Sequence, residues 1–169
     1  MSMYQLLKYR SFVSYIDRSR EYYAAQGYTR PYEWPHYDDV PFTLLTKPLT
    51  ECRVGLVTTA GKAKPPGAVA AILAKKDLYA EPVNPPPQRL FTDDLGWDNK
   101  ATHTEDVESF VPVKRLSEYA ATGRIGSASA RFYGVPTDYS QSRTLERSAP
   151  QILQWCREDG LDAVLLSAL

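Results

Sequence analysis

The sequence predicts an α/β protein with a mainly parallel sheet flanked by helices, in the three-layer Rossmann or flavodoxin manner. Three observations lead there. The run Arg53-Val54-Gly55-Leu56-Val57-Thr58-Thr59 is apolar on both faces, as a strand covered by helices on either side must be. Helical and strand patterns alternate from there to Leu169. Short strands joined by helices make right-handed βαβ units, which build parallel sheets.

Residues 1–50 are expected to form a helical and extended arm, and residues 51–169 the α/β domain. Over residues 1–30 a helix is expected, capped by Ser11, carrying Phe12, Ile16, Tyr22 and Tyr23, and stopped by Gly27. Tyrosines crowd this segment, which suits an amphipathic arm lying over the domain or a partner subunit; an aromatic ligand cage is the alternative. Residues 31–50, with Pro31, Pro35, Pro41 and Pro48, read as an extended connector.

After the first strand, a helix is expected from Pro66 to Lys75. Pro82, Pro85, Pro86 and Pro87 then break the chain before a second extended stretch, Arg89 to Thr92. A helix is predicted over Val113–Ala121, with Gly123 as its stop, and a third strand over Ile125–Ser129. Thr144 to Glu158 reads as a helix with Leu145, Ala149, Ile152, Leu153 and Cys156 on one stripe and Pro150 near its true start. Gly160 ends it, and Asp162 to Ser167 is the last strand.

Lys and Arg total 20 and Asp and Glu total 20, so the chain is formally neutral. A neutral balance without basic clusters argues against nucleic acid and anionic membranes as partners. No apolar run reaches the length of a membrane span. Lys8 and Arg10 interrupt any secretory core, and the two cysteines lack framework spacing, so a cytoplasmic protein is expected.

Ligands of parallel sheets sit beyond the carboxyl ends of the strands. That rule selects Thr58 to Gly61, Ala130 to Gly134, and Ser167 to Leu169. The turn Thr58-Thr59-Ala60-Gly61-Lys62 carries hydroxyls, a glycine and a lysine suited to an anion; it is neither a Walker A loop nor GxGxxG, and a plain βα turn is the alternative. Arg131 can clamp a carboxylate or phosphate, with Tyr133, Thr137, Tyr139 and Ser140 near it in sequence, or it is a solvated turn residue. His103 with Glu105 and Asp106, and His36 with Asp38 and Asp39, have the chemistry but not the spacing of metal ligands. No metal is expected, and His103 or Asp106 is a general acid–base candidate. Cys156 falls on the helical stripe and Cys52 at the amino end of the first strand. Neither belongs to a CxxC, so dithiol chemistry is not available within the chain.

Several stretches, read together, resemble one family. They are Val40 to Val54, containing Lys47-Pro48-Leu49-Thr50-Glu51-Cys52-Arg53, the turn Leu56-Val57-Thr58-Thr59-Ala60-Gly61, and Thr104 to Pro112. Gly123 to Ser127 running on to Arg131-Phe132-Tyr133-Gly134, and Cys156 to Leu166, complete the set. From about residue 11 onward the chain resembles the selenoprotein B-like family of the glycine, sarcosine, betaine and D-proline reductases. The resemblance implies reductive chemistry on a small amino-acid-like or amine substrate. It implies a selenocysteine or cysteine nucleophile, in a thiol pair, just after the strand matching Asp162 to Leu166, and a pyruvoyl group on a partner subunit. That nucleophile would fall just beyond Leu169, so the α/β domain is expected to be truncated there. A non-catalytic binding or partner subunit on the same scaffold is the alternative. The positions carried over as pocket-lining, from the resemblance and the edge rule together, are Thr58, Thr59, Gly61, His103, Asp106, Arg131 and Tyr133. A last strand without its covering helix leaves apolar surface exposed, so an oligomer is expected.

Overall fold

The computed structural model describes residues 15–30, 38–41, 43–62, 77–92, 103–135, 137 and 140–169. The chain divides into two compact units, Met1–Pro41 and Phe42–Leu169. In the first, helix α1 (Tyr15–Ala25) ends before Gly27, whose φ of 85° is the left-handed conformation that glycine adopts without strain. Tyr22, Tyr23 and Tyr28 meet edge to face on this helix end. The expected Ser11 cap and Phe12 lie outside the described residues, as does the helix expected from Pro66 to Lys75.

The second unit is an α/β arrangement. Its five strands among the described residues are β1 (Arg53–Thr58), β2 (Tyr79–Pro82), β3 (Ser127–Ala128), β4 (Arg131–Gly134) and β5 (Ala163–Ser167). β1 is central and runs parallel to β3, β4 and β5, while β2 is antiparallel to β4. The sheet is therefore mixed but mostly parallel.

Side chains of β1 alternate between two apolar clusters, as the two-residue period of a strand requires. Val54 and Leu56 join Phe132, Tyr79, and Val113 and Leu116 of helix α2 (Val113–Ala121). Val57 joins Tyr133, Val164, and Ile152, Trp155 and Cys156 of helix α3 (Ala149–Glu158). Gly123 and Gly160 follow the two helices with φ of 70° and 63°. Both are the predicted stops.

Three expectations change. Of the strand predicted over Ile125–Ser129 only Ser127–Ala128 (β3) forms, and the stretch selected as lying beyond it, Ala130 to Gly134, is mostly a strand of its own, β4. Ser127 pairs with Arg53 but Tyr133 pairs with Val57, so the offset grows from 74 to 76 and two extra residues are taken up between Ala128 and Tyr133 as a bulge. Within it the Ser129 N–H still donates to the Val54 carbonyl at 2.8 Å and the Ala130 carbonyl accepts from the Val83 N–H at 3.0 Å. Phe132 and Tyr133 hold β4 in place because each is buried, on opposite faces.

Second, the extended partner expected at Arg89–Thr92 makes only a bridge between Gly61 and Phe91. The second strand is instead β2, which ends at Pro82. A proline lacks the N–H that a ladder needs, and β2 tolerates one at its end because its pairing is with β4 alone.

Third, the predicted stripe of the last helix is rotated. A helical turn Gln141–Arg143, capped by the Ser140 hydroxyl, runs into a π-helical stretch Thr144–Ser148 and then α3. Wider π turns shift the phase of residues on either side. The covered face is Ser148, Ile152, Trp155, Cys156 and Asp159, while Leu145 and Leu153 are 59% and 48% exposed. Pro150 sits in the first turn of α3, directly after the π stretch.

β5 pairs with β1 over its whole length, from Val54–Ala163 to Thr58–Ser167. Leu165 and Leu166, on its two faces, are 50% and 81% exposed. No helix among the described residues is long and apolar enough to cross a membrane.

Candidate functional site at the carboxyl ends of β1, β4 and β5

The register brings Thr58, Gly134 and Ser167 level with one another at the carboxyl ends of three parallel strands. Beyond them the chain is tightly laced. The Thr58 carbonyl accepts from the Val135 N–H at 2.8 Å, and the buried Thr58 hydroxyl accepts from the Ala60 N–H at 3.2 Å. Gly61 exchanges two main-chain bonds with Phe91, at 2.6 and 2.9 Å.

Thr59 does something different. Its N–H donates to the Ser167 carbonyl at 3.3 Å. Its hydroxyl accepts from the Leu169 N–H at 2.8 Å and lies 3.2 Å from the Leu169 carbonyl, to which it donates. The chain leaving β5 is thus fastened to the turn leaving β1, and the Leu169 side chain packs on the cluster of Val54, Leu56 and Ala60.

Tyr79 braces this turn from below. Its phenol donates to the Ala60 carbonyl at 2.6 Å, and its ring meets Phe132 edge-on with centroids 6.0 Å apart. Burial, reinforced by the charge of Glu81, pushes its ionisation well above the ordinary tyrosine range. Lys62, expected to hold an anion, instead pairs with Glu81 at 2.6 Å and stands 5.2 Å over the Tyr79 ring. The turn is therefore a braced platform whose lysine and hydroxyls are engaged within the chain.

The structure separates the predicted pocket residues. Thr58, Thr59 and Gly61 are together at the carboxyl edge. Arg131 is the first residue of β4 and makes a two-pronged bond to Asp159, Nε to Oδ2 at 2.9 Å and Nη2 to Oδ1 at 2.8 Å. The Tyr133 phenol donates to the same carboxylate, and its ring stacks on Trp155. Arg53, at the amino end of β1, donates to the Asp159 carbonyl at 2.9 Å. Arg131 and Tyr133 thus belong to an ionic cluster toward the amino ends of the strands.

The Arg131 guanidinium, followed by the Tyr133 phenol, holds the Asp159 carboxyl below the usual carboxylate range. Burial, then the bond to Asp159, raises Tyr133. Asp159 was not singled out from the sequence. Its signal was there: a carboxylate just past a helix C-terminus opposes the helix dipole unless a cation answers it.

His103 and Asp106 are exposed in the approach to a 3-10 turn, Val107–Ser109. The His103 Nδ1 accepts from the Glu105 N–H at 3.4 Å, and the Asp106 carbonyl accepts from the Ser109 hydroxyl at 2.7 Å. Val107 and Phe110 anchor this segment in the same cluster as Ala60. Thr137 is described, while Tyr139 and His36 lie outside the described residues. Among the described residues no three His, Cys, Asp or Glu side chains gather as metal ligands.

Both cysteines are free and buried. The Cys52 thiol points to the carbonyls of Pro48 and Lys47 at 3.4 and 3.7 Å, and burial followed by the Asp159 charge pushes the Cys156 thiol up. Neither has the exposure of a nucleophile. A small cavity between β1 and α2, lined by Val54, Leu56, Val113, Leu116 and Ser129 among others, measures about 10 Å³, too little for more than one water.

The fold and its laced edge define an α/β protein with a candidate site at the carboxyl ends of its parallel strands. No family model matches the chain, and no curated protein or solved structure matches it.

Proposed function

We propose that this chain is the α/β scaffold of a reductase similar to the selenoprotein B-like glycine, sarcosine, betaine and D-proline reductases. It would act on a small amino-acid-like or amine substrate in the cytoplasm. In this reading the sheet is covered on both faces in the Rossmann or flavodoxin manner, and residues 1–50 are its arm. The reducing selenol or thiol follows Leu169, and a partner subunit carries the pyruvoyl group.

The observation that carries the reading is the fastening of Leu169 to Thr59. It directs the chain leaving β5 into the edge where parallel sheets bind ligands. Both cysteines are buried, so in this reading neither takes the nucleophile's role.

The first measurement is the intact mass of the protein made in its native host, grown with selenium. A species heavier than 19.0 kDa that carries selenium or an added thiol is expected. A mass equal to this chain overturns the catalytic reading. A non-catalytic binding or partner subunit then takes its place, a reading favoured by the engagement of Lys62 and the Thr58 hydroxyl within the chain.

The reading also includes a protein partner or second copy packed on β5, where Leu165 and Leu166 stand exposed without the charges or prolines that shield edge strands. Light scattering at micromolar concentration is expected to give a multiple of the 19.0 kDa chain mass. A monomer there counts against it.

A further inference from the structure

We propose that Thr59 is a positioning residue of the carboxyl-edge site, whose hydroxyl sets the backbone of Leu169 and so the place of the residue that follows it. The proposal rests on the reading above, in which that residue is the selenol or thiol.

The β1–β5 ladder runs out at Thr58 and Ser167. Past that point one side chain takes over the ladder's work. A hydroxyl is donor and acceptor at once. That of Thr59 uses both capacities on one residue 110 positions away, bonding the N–H of Leu169 at 2.8 Å and its carbonyl at 3.2 Å. The Thr59 N–H adds a third bond, to Ser167 at 3.3 Å.

Thr58 cannot substitute, because its hydroxyl is buried and holds the Ala60 N–H. The clamp stands on a rigid base: Ala60 is fixed by Tyr79, and Gly61 by Phe91. A reacting group must be held to a fraction of an ångström, and this arrangement fixes the main chain immediately before it.

The test uses the whole chain with one cysteine added after Leu169 as a probe, in three forms: unchanged, Thr59→Val and Thr59→Ser. Valine keeps the shape and loses both hydroxyl bonds; serine keeps both. Amide exchange at Leu169 reports the clamp, and the pH profile of alkylation of the added cysteine by iodoacetamide reports positioning.

Thr59→Val is expected to speed exchange at Leu169 about thirtyfold, as fits the loss of two hydrogen bonds of ordinary worth. It is also expected to move the alkylation profile, while exchange in β1 stays slow. Thr59→Ser restores both. An unchanged profile in a folded Thr59→Val protein overturns the positioning role, even if Leu169 exchanges faster. Unchanged exchange overturns the clamp itself. Both readouts are taken on the chain with the added cysteine and are independent of the native mass, so failure here and failure of the reductase reading are distinguishable.

Discussion

Replacing Gly134 with alanine is expected to destabilise the α/β unit by about 3 kcal/mol, the upper end of overpacking costs. Gly134 sits level with Thr58 on one side and Tyr79 on the other. A Cβ built on it would land within the Tyr79 ring. That ring has no free direction. Its phenol is bonded to the Ala60 carbonyl, its edge meets Phe132, and Lys62 stands over its face.

Moving the ring therefore breaks a buried hydrogen bond, worth about 1 kcal/mol in addition to the steric strain. It also removes the brace under the turn that carries Thr59. The measurement is the urea midpoint of Gly134→Ala alone and in a Tyr79→Ala background. In the second background the substitution should cost less than about 1 kcal/mol, because contacting residues couple strongly. Equal costs in the two backgrounds would rule out the ring as the cause.

The same glycine shows where the sequence was legible and where it was not. β1 could be read because five apolar or small residues in a row leave no other element that fits. α2, α3 and β5 could be read because Gly123 and Gly160 mark their ends. β4 could not. Arg131-Phe132-Tyr133-Gly134 ends in a glycine, which locally signals a turn, but this glycine is present to admit the Tyr79 ring from a neighbouring strand. That need is tertiary and leaves no local trace.

β2 was hidden by Pro82 for a similar reason, since only the topology reveals that its strand sits at the end of the sheet path. The stripe of the last helix was misphased by the π stretch at Thr144–Ser148, which an even 3.6-residue period cannot represent. At the site, the edge rule found Thr58, Thr59, Gly61 and Leu169 together. It does not account for Arg131 and Tyr133, whose side chains are drawn instead to the Asp159 carboxylate at the end of α3.

Those two residues lead to the second large effect. Asp159→Asn is expected to lower stability by about 2 kcal/mol at neutral pH, in the range for hydrogen bonds to charged groups. The carboxylate accepts three hydrogen bonds at once from two groups: the two prongs of Arg131 and the Tyr133 phenol. The side chains of Arg131 and Asp159 are 34% and 21% exposed, which places the pair between a weak surface bridge and a costly buried one. Asparagine keeps the shape, but presents one acceptor where the carboxylate has two.

The pH dependence follows from the direction of the shift. The folded carboxyl of Asp159 titrates below its ordinary value of 3.8, so the folded state binds this proton less readily than the unfolded chain does. Its stabilisation is complete above that value and is lost as pH falls through the folded pKa. The parent protein should therefore lose stability below about pH 4 more steeply than Asp159→Asn, and the two curves should converge in acid. Asp162, also lowered by Lys47 and the Arg53 N–H, remains in both proteins and contributes to the slope that Asp159→Asn retains. Urea midpoints at pH 7, 4 and 3 would decide it. Parallel curves with a constant gap would mean that Asp159 acts through packing near Trp155 and not through its charge. Convergence would make the cluster an electrostatic rivet joining the end of α3 to the amino ends of β1 and β4, holding from behind the sheet whose opposite edge presents Thr59 and Leu169.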